Sequence, residues 1–162
     1  MRKNQMQYNW GLFLEAAKRW FNDMQDDEDE TLIRCGISRS YYAAFHVCQQ
    51  YLIKINMGAD VHGDGSHMAV IKSFKQLGDA RNNRECTKIS VDLSRLKNRR
   101  ISADYRDVLL SGNPSYIGTK KKVLEQSIKE AERIIQMTGM LPDFDYKCWL
   151  VDCVVRNFKY FM

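Results

Sequence analysis

The apolar positions of this chain recur at intervals of three and four, the period of α-helices buried along one side. From Asn9 to about Met24, the residues Trp10, Phe13, Ala17, Trp20 and Met24 form one stripe, widened by Ala16 and Phe21. From Glu30 to Ile55, a second stripe runs through Ile33, Ile37, Tyr41, Ala44, Cys48, Leu52 and Ile55. A third helix is predicted from a Ser66 cap to a stop at Gly78, with Val70, Ile71, Phe74 and Leu77 apolar. The polar stretch Asp79–Lys88 reads as a loop leading to a fourth helix over Ser90–Leu110, marked by Ile89, Leu93, Leu96 and Ala103. Arg100 falls inside that apolar stripe. Gly112–Ser115 breaks the chain, and a fifth helix follows over Thr119–Thr138, ended by Gly139. The tail, 140–162, packs Trp149, Leu150, Val151, Val154, Val155, Phe158, Tyr160 and Phe161 into a short space; Leu150, Val154, Phe158 and Phe161 fit a helix, which is the expected state, while the β-branched residues also permit a strand. The expected organisation is one helical domain over 1–139 and a hydrophobic extension, 140–162, packed on it or on a partner.

The second helix has two faces that are both unusual for solvent. Arg39 and His46 are seven residues apart, two turns, and share their side with Cys35, Tyr42, Ala43 and Ile53. A helix that only covered a core would show Lys, Glu and Asp there. This face is small and aromatic, with one permanent cation and one titratable imidazole, and it is expected to be covered by a second subunit or a ligand.

Composition narrows the choice. A chain of 162 residues with 44% hydrophobic content buries one ordinary core, and few Gly or Pro favours long helices. The net charge of +5 is mild for a nucleic-acid binder. Acid clusters over Asp23–Glu30 and base over Arg81–Lys88, Lys97–Arg100 and Lys120–Lys122. That polarity suits RNA or an acidic partner, and it equally describes solvated helix faces. Cys35, Cys48, Cys86, Cys148 and Cys153 are odd in number and include no Cys-x-x-Cys pair, which fits reduced thiols. No apolar leader segment opens the sequence, and no run approaches the roughly 18 residues that span a bilayer, so a cytoplasmic protein without membrane contact is expected. His62, Asp64 and His67 lie along a glycine-rich loop that fixes no metal geometry, and Gly112–Lys122 lacks the order of a phosphate loop. Neither a metal nor a cofactor is expected.

Three ordered motifs carry a family resemblance. Ser38-Arg39-Ser40-Tyr41-Tyr42-Ala43-Ala44-Phe45-His46 resembles the signature second helix of the small HEPN domains (higher eukaryote and prokaryote nucleotide-binding). Ser66-His67-Met68-Ala69-Val70-Ile71 resembles the His-bearing start of that family's third helix, and Arg100-Ile101-Ser102-Ala103-Asp104-Tyr105 its Arg-x-x-Ala-Asp-Tyr element. The resemblance covers about residues 8–138. It implies an all-α, up-and-down four- to five-helix bundle that commonly forms a homodimer. It also implies toxin–antitoxin or phage-defence settings, often beside a nucleotidyltransferase partner. Many members are metal-independent ribonucleases with Arg, four to six residues, then His on the later helix. Here Arg100 is followed by Tyr105 where that His is expected, while Arg39 and His46 satisfy the spacing on the earlier helix.

Cleaving RNA without a metal needs a base for the 2′-hydroxyl, an acid for the leaving 5′-oxygen and a cation on the phosphorane. An imidazole titrates near neutrality and a guanidinium clamps a phosphate bidentately, so the expected catalytic residues are Arg39, His46 and Arg100. Tyr42, Asp104, Tyr105 and His67 are the expected substrate contacts; Tyr105 is expected to orient a phosphate by hydrogen bonding, since a phenol replaces an imidazole poorly as a base. Three function classes follow: an RNA-cleaving HEPN effector, a non-catalytic module binding nucleotide, RNA or a nucleotidyltransferase, and a structural interaction subunit.

Overall fold

The structure is a computed structural model that describes residues 8–25, 29–57, 63, 65–109, 118–143, 145, 147 and 148. It is all-α, as the periodicity predicts. Among the described residues there are five helices: α1 (Gly11–Asp23), α2 (Glu30–Lys54), α3 (Ser66–Arg81), α4 (Arg84–Tyr105) and α5 (Lys120–Met140). The chain divides into two compact units, and α2, α4 and α5 each contribute a segment to both. The first unit comprises 1–44 and 95–132, and the second comprises 45–94 and 133–162. The tail segment 149–162 and the break at 112–115 lie outside the described residues, as do His62 and Asp64.

In the first unit, Ile33, Ile37, Tyr41 and Ala44 of α2 are fully buried, as are Leu96 of α4 and Val123, Leu124 and Ala131 of α5. Helices α2 and α5 touch at Gly36, where an added Cβ would sit 2.7 Å from Leu124 Cδ1. The start of α2 is capped by Asp29, whose Oδ1 accepts from Leu32 N at 3.1 Å. The first two of the three lysines that open α5 act as ties, while Lys122 is exposed. Lys120 pairs with Glu30, and Lys121 donates to the Met24 carbonyl at the end of α1. Lys120 and Arg34 together hold the Glu30 carboxylate below its usual pKa range. Arg99, from a stretch that reads in the sequence as a basic patch, is buried against Glu130 at 2.6 Å.

In the second unit, Cys48 and Leu52 of α2 and Ile55 just after it are buried, as are Val70, Phe74 and Leu77 of α3 and Ile89 and Leu93 of α4. Ser90 Oγ donates to the Ile71 carbonyl at 3.0 Å, joining α4 to α3, and Arg133 holds Asp92 at 2.8 Å. The residues just after α5 return to the end of α2: Tyr51 donates its hydroxyl to the Pro142 carbonyl at 3.0 Å, and Asn56 donates to Asp145 at 2.6 Å.

Element boundaries differ from expectation in four places. Gly65 rather than Ser66 holds the N-cap of α3, in a left-handed conformation with φ 84°, and Ser66 is the first helical residue. The Asp79–Lys88 loop shrinks to Asn82 and Asn83. Asn82 takes the left-handed conformation at φ 49°, and Asn83 Oδ1 accepts from Cys86 N at 3.0 Å to start α4. Gly78 is no stop signal. A Cβ there would lie 2.4 Å from Thr87 Oγ1 and 2.9 Å from Thr87 N, so its missing side chain lets the first turn of α4 lie against α3. Helix α4 ends at Tyr105 instead of Leu110, and α5 continues through Gly139 to Met140.

The two glycines therefore predict opposite outcomes. Gly78→Ala forces Thr87 and its backbone to move and should cost about 1–3 kcal/mol. Gly139→Ala meets open space and should be neutral or stabilising by up to about 1 kcal/mol. Urea unfolding midpoints measured side by side check both signs.

Candidate functional site

The site is built where α4 ends against the first half of α2, inside the first unit. A helix that stops leaves its last carbonyls without intrahelical donors. Arg34 of α2 takes them up. Its Nη1 donates to the carbonyls of Ser102 (3.3 Å), Ala103 (2.9 Å) and Arg106 (2.8 Å), and Nη2 donates to that of Asp107 (3.1 Å). Glu30 Oε1 orients the guanidinium from one turn earlier, at 2.8 Å from Nε. Sequence reasoning misses Arg34, because its partners are backbone atoms of a distant segment. Its visible signal is the i,i+4 spacing from Glu30.

This clamp presents the end of α4 to a pocket of about 490 Å³. Thr31, Arg34, Cys35, Ser38, Arg39 and Tyr42 line it from α2, and Ala103 and Asp104 line it from α4. Ser38 Oγ donates to Asp104 Oδ2 at 3.3 Å across it. Arg100 lies between two tyrosines, its guanidinium carbon 5.1 Å from the Tyr42 ring centroid and 5.0 Å from that of Tyr105. Its Nη2 donates to both phenol oxygens. Its Nε is 2.7 Å from Asp104 Oδ2, a charge contact without hydrogen-bond alignment. Burial works against the Arg100 charge, yet Tyr42, Asp104 and Tyr105 outweigh it and hold the guanidinium's pKa above its ordinary value. The i,i+4 ion pair of Arg100 and Asp104 thus exists, and Arg100 is mostly buried within it.

Arg39 is exposed and stacks its guanidinium on Phe13 of α1, 4.5 Å from the ring centroid. Among the described residues it has no carboxylate partner. Phe13, which the periodicity assigns only to a core stripe, is therefore also a site residue. The structure gathers Arg39, Tyr42, Arg100, Asp104 and Tyr105 in one unit: Arg39, Tyr42 and Asp104 line the pocket, Arg100 touches Tyr42 and Asp104, and Tyr105 touches Arg100.

His46 and His67 belong to the second unit and meet there on Phe45, whose ring centroid is 5.0 Å from that of His46 and 4.5 Å from that of His67. His46 Nδ1 faces the Gln49 amide oxygen at 3.0 Å, so the neutral ring carries its proton on Nδ1 and accepts on Nε2. Burial lowers the His46 pKa, against a smaller upward pull from Gln49. The second face of α2 is covered to different degrees. Ala43 is buried, Tyr42 and His46 are half-buried, and Cys35, Arg39 and Ile53 are exposed. Burial pushes the thiols of Cys48 and Cys86 up to about 12 and about 11, which keeps both protonated and unreactive at neutral pH. Among the described residues no cluster of His, Cys, Asp or Glu could hold a metal ion, and no helix is long and apolar enough to cross a membrane.

The family model of the HEPN domain matches residues 10–141. This chain belongs to the HEPN domain family. No curated protein and no solved structure matches it.

Two outcomes follow from this geometry. Arg34→Ala strands carbonyls at the end of α4 and should cost about 1.5–3 kcal/mol in urea unfolding; Arg34→Lys should not restore it, because an ammonium lacks the planar fork. For His46, the folded pKa lies below the unfolded value near 6.5, so the unfolded chain binds the proton first. The associated stability is intact above about pH 6.5 and is lost as pH falls through the folded pKa. An NMR titration should place His46 below 6.5, and His46→Asn should flatten that part of the stability–pH curve.

Proposed function

We propose that this protein is an RNA-directed HEPN effector that holds a phosphate of its ligand at the Arg39 pocket. The observation that carries this reading is the division of labour among three arginines. Arg34 is engaged by carbonyls and Glu30, Arg100 is held by two tyrosines and Asp104, and Arg39 lines the pocket with no carboxylate partner among the described residues. A planar guanidinium fixed on an aromatic face and open at its edge suits a phosphodiester oxygen.

In this proposal His46 supplies proton transfer for metal-independent cleavage, and Arg39 and Arg100 supply charge to the transition state. The His46 observation supports it: an imidazole that stays neutral at pH 7 with Nε2 as its basic nitrogen is the form a general base requires. Family membership supports a homodimer in a toxin–antitoxin or phage-defence setting, with a nucleotidyltransferase as partner. A second reading, a non-catalytic module binding nucleotide or RNA, is favoured by the pocket lining, which includes no imidazole among the described residues, and by Tyr105 in the place of the family's His.

Labelled RNA incubated with the purified chain in EDTA separates the two. Cleavage leaving 2′,3′-cyclic phosphate ends, reduced about 10²–10⁴-fold in His46→Ala with RNA binding retained, is the outcome expected of the enzyme. Binding that is lost in Arg39→Ala, with no cleavage by any variant, is the outcome expected of the module. Absence of both in the wild-type chain refutes the RNA reading.

A further inference from the structure

Beside the pocket, at the entry to α1, three aromatic rings stand together. Tyr8 packs edge-on against Trp10 with centroids 4.8 Å apart and against Phe13 at 5.8 Å, and Trp10 meets Phe13 at 5.3 Å. Half of Tyr8 is exposed, at 51%. Phe13 in turn carries Arg39, which lines the pocket. On the α4 side, Tyr105 is 70% exposed while its ring rests on Arg100. From Tyr8 to Tyr105 the first unit therefore presents rings and guanidinium groups in alternation, with the pocket between them.

We infer that the ring cluster at the entry to α1 is a base-stacking subsite: an unpaired base of the bound RNA stacks on the Tyr8 ring while the adjoining phosphate meets Arg39, with Tyr105 serving a second base. This inference rests on the RNA reading above and names the subsite that one of its bases occupies. Duplex RNA keeps its bases inside the helix and offers proteins mainly phosphates and 2′-hydroxyls, so it is held by many unpaired cations. Among the described residues, the pocket lining offers two cations, Arg34 and Arg39. Arg34 and Arg100 are already engaged, which leaves Arg39 as the pocket's phosphate contact. Its larger resource is exposed aromatic area, and rings next to cations are how sequence-tolerant single-strand binders hold successive bases. A cation that rests on one ring of a three-ring cluster also places base and phosphate contacts within one nucleotide of each other.

The test uses the full chain and a fluorescein-labelled 12-nucleotide RNA, supplied as a single strand, as a blunt duplex, and as a ribose-phosphate oligomer without bases. The single strand should bind at least about 10-fold tighter than either comparator. Tyr8→Ala should weaken single-strand binding about 5- to 100-fold, leave the salt dependence unchanged, and leave the base-free oligomer unaffected. Tyr8→Phe should restore binding, since stacking needs the ring and not the hydroxyl. Arg39→Ala should weaken the single strand and the base-free oligomer alike and lower the salt slope by about 0.7. Circular dichroism and urea midpoints confirm that each variant is folded. Equal binding of strand and duplex, or a Tyr8→Ala variant that binds the single strand like wild type, overturns the inference. If Arg39→Ala still weakens binding in that case, RNA recognition survives and only the stacking role falls. No binding of any RNA overturns both, and a Tyr8→Ala variant that instead loses self-association assigns the ring cluster to a protein interface.

Discussion

A helix that ends beside other helices must hand its last carbonyls to some donor, and in this protein that donor is Arg34. One guanidinium, oriented by Glu30, donates to four carbonyls at and beyond the end of α4. The end of α4 is placed by that arrangement. Asp104, in its last turn, reaches Ser38, and Tyr105, its last residue, rests on Arg100. An arginine suits the task because its donors diverge in a plane, so several carbonyls at different angles are met by one rigid group.

The buried stripes are legible in the sequence because each turn of a helix repeats the same instruction, one apolar residue facing inward. Ile33, Ile37, Tyr41, Ala44, Cys48, Leu52 and Ile55 form one such series, and all are fully buried. Boundaries are not legible in the same way. Gly78 resembles a helix stop in isolation, yet its meaning depends on Thr87, which comes from the next helix. Likewise the polar run after it is the exposed side of two helix ends, joined by an Asn in the left-handed region and an Asn that caps. A composition rule sees polar residues and infers a loop; the backbone needs only two residues to turn.

The site is half legible for the same kind of reason. Arg100, Asp104 and Tyr105 can be read as a group because they sit on one helical stretch, and Arg100 is conspicuous inside an apolar stripe. What holds Arg100 there, the Tyr42 ring from α2, requires the fold. Arg34 and Phe13 are invisible as site residues. Arg34 works through carbonyls, which every residue has, and Phe13 resembles core because its stacked partner is a cation far along the chain, Arg39. His46 and His67 match a motif, and what the structure adds is local to their own unit: they meet on Phe45, and burial keeps His46 neutral.

Charge counting along the chain points toward nucleic acid more strongly than charge counting in space. Of the basic stretch Lys97–Arg100, Arg99 is buried on Glu130 and Arg100 is paired with Asp104. Of Lys120–Lys122, the first two bind Glu30 and the Met24 carbonyl. These cations hold helices together, and a cation engaged by an internal carboxylate releases few counterions when a phosphate approaches. The surplus of base in the composition is therefore a poor measure of affinity for RNA. For the proposed phosphate contact the group that matters is Arg39, which lines the pocket, rests on the Phe13 ring and has no carboxylate partner among the described residues.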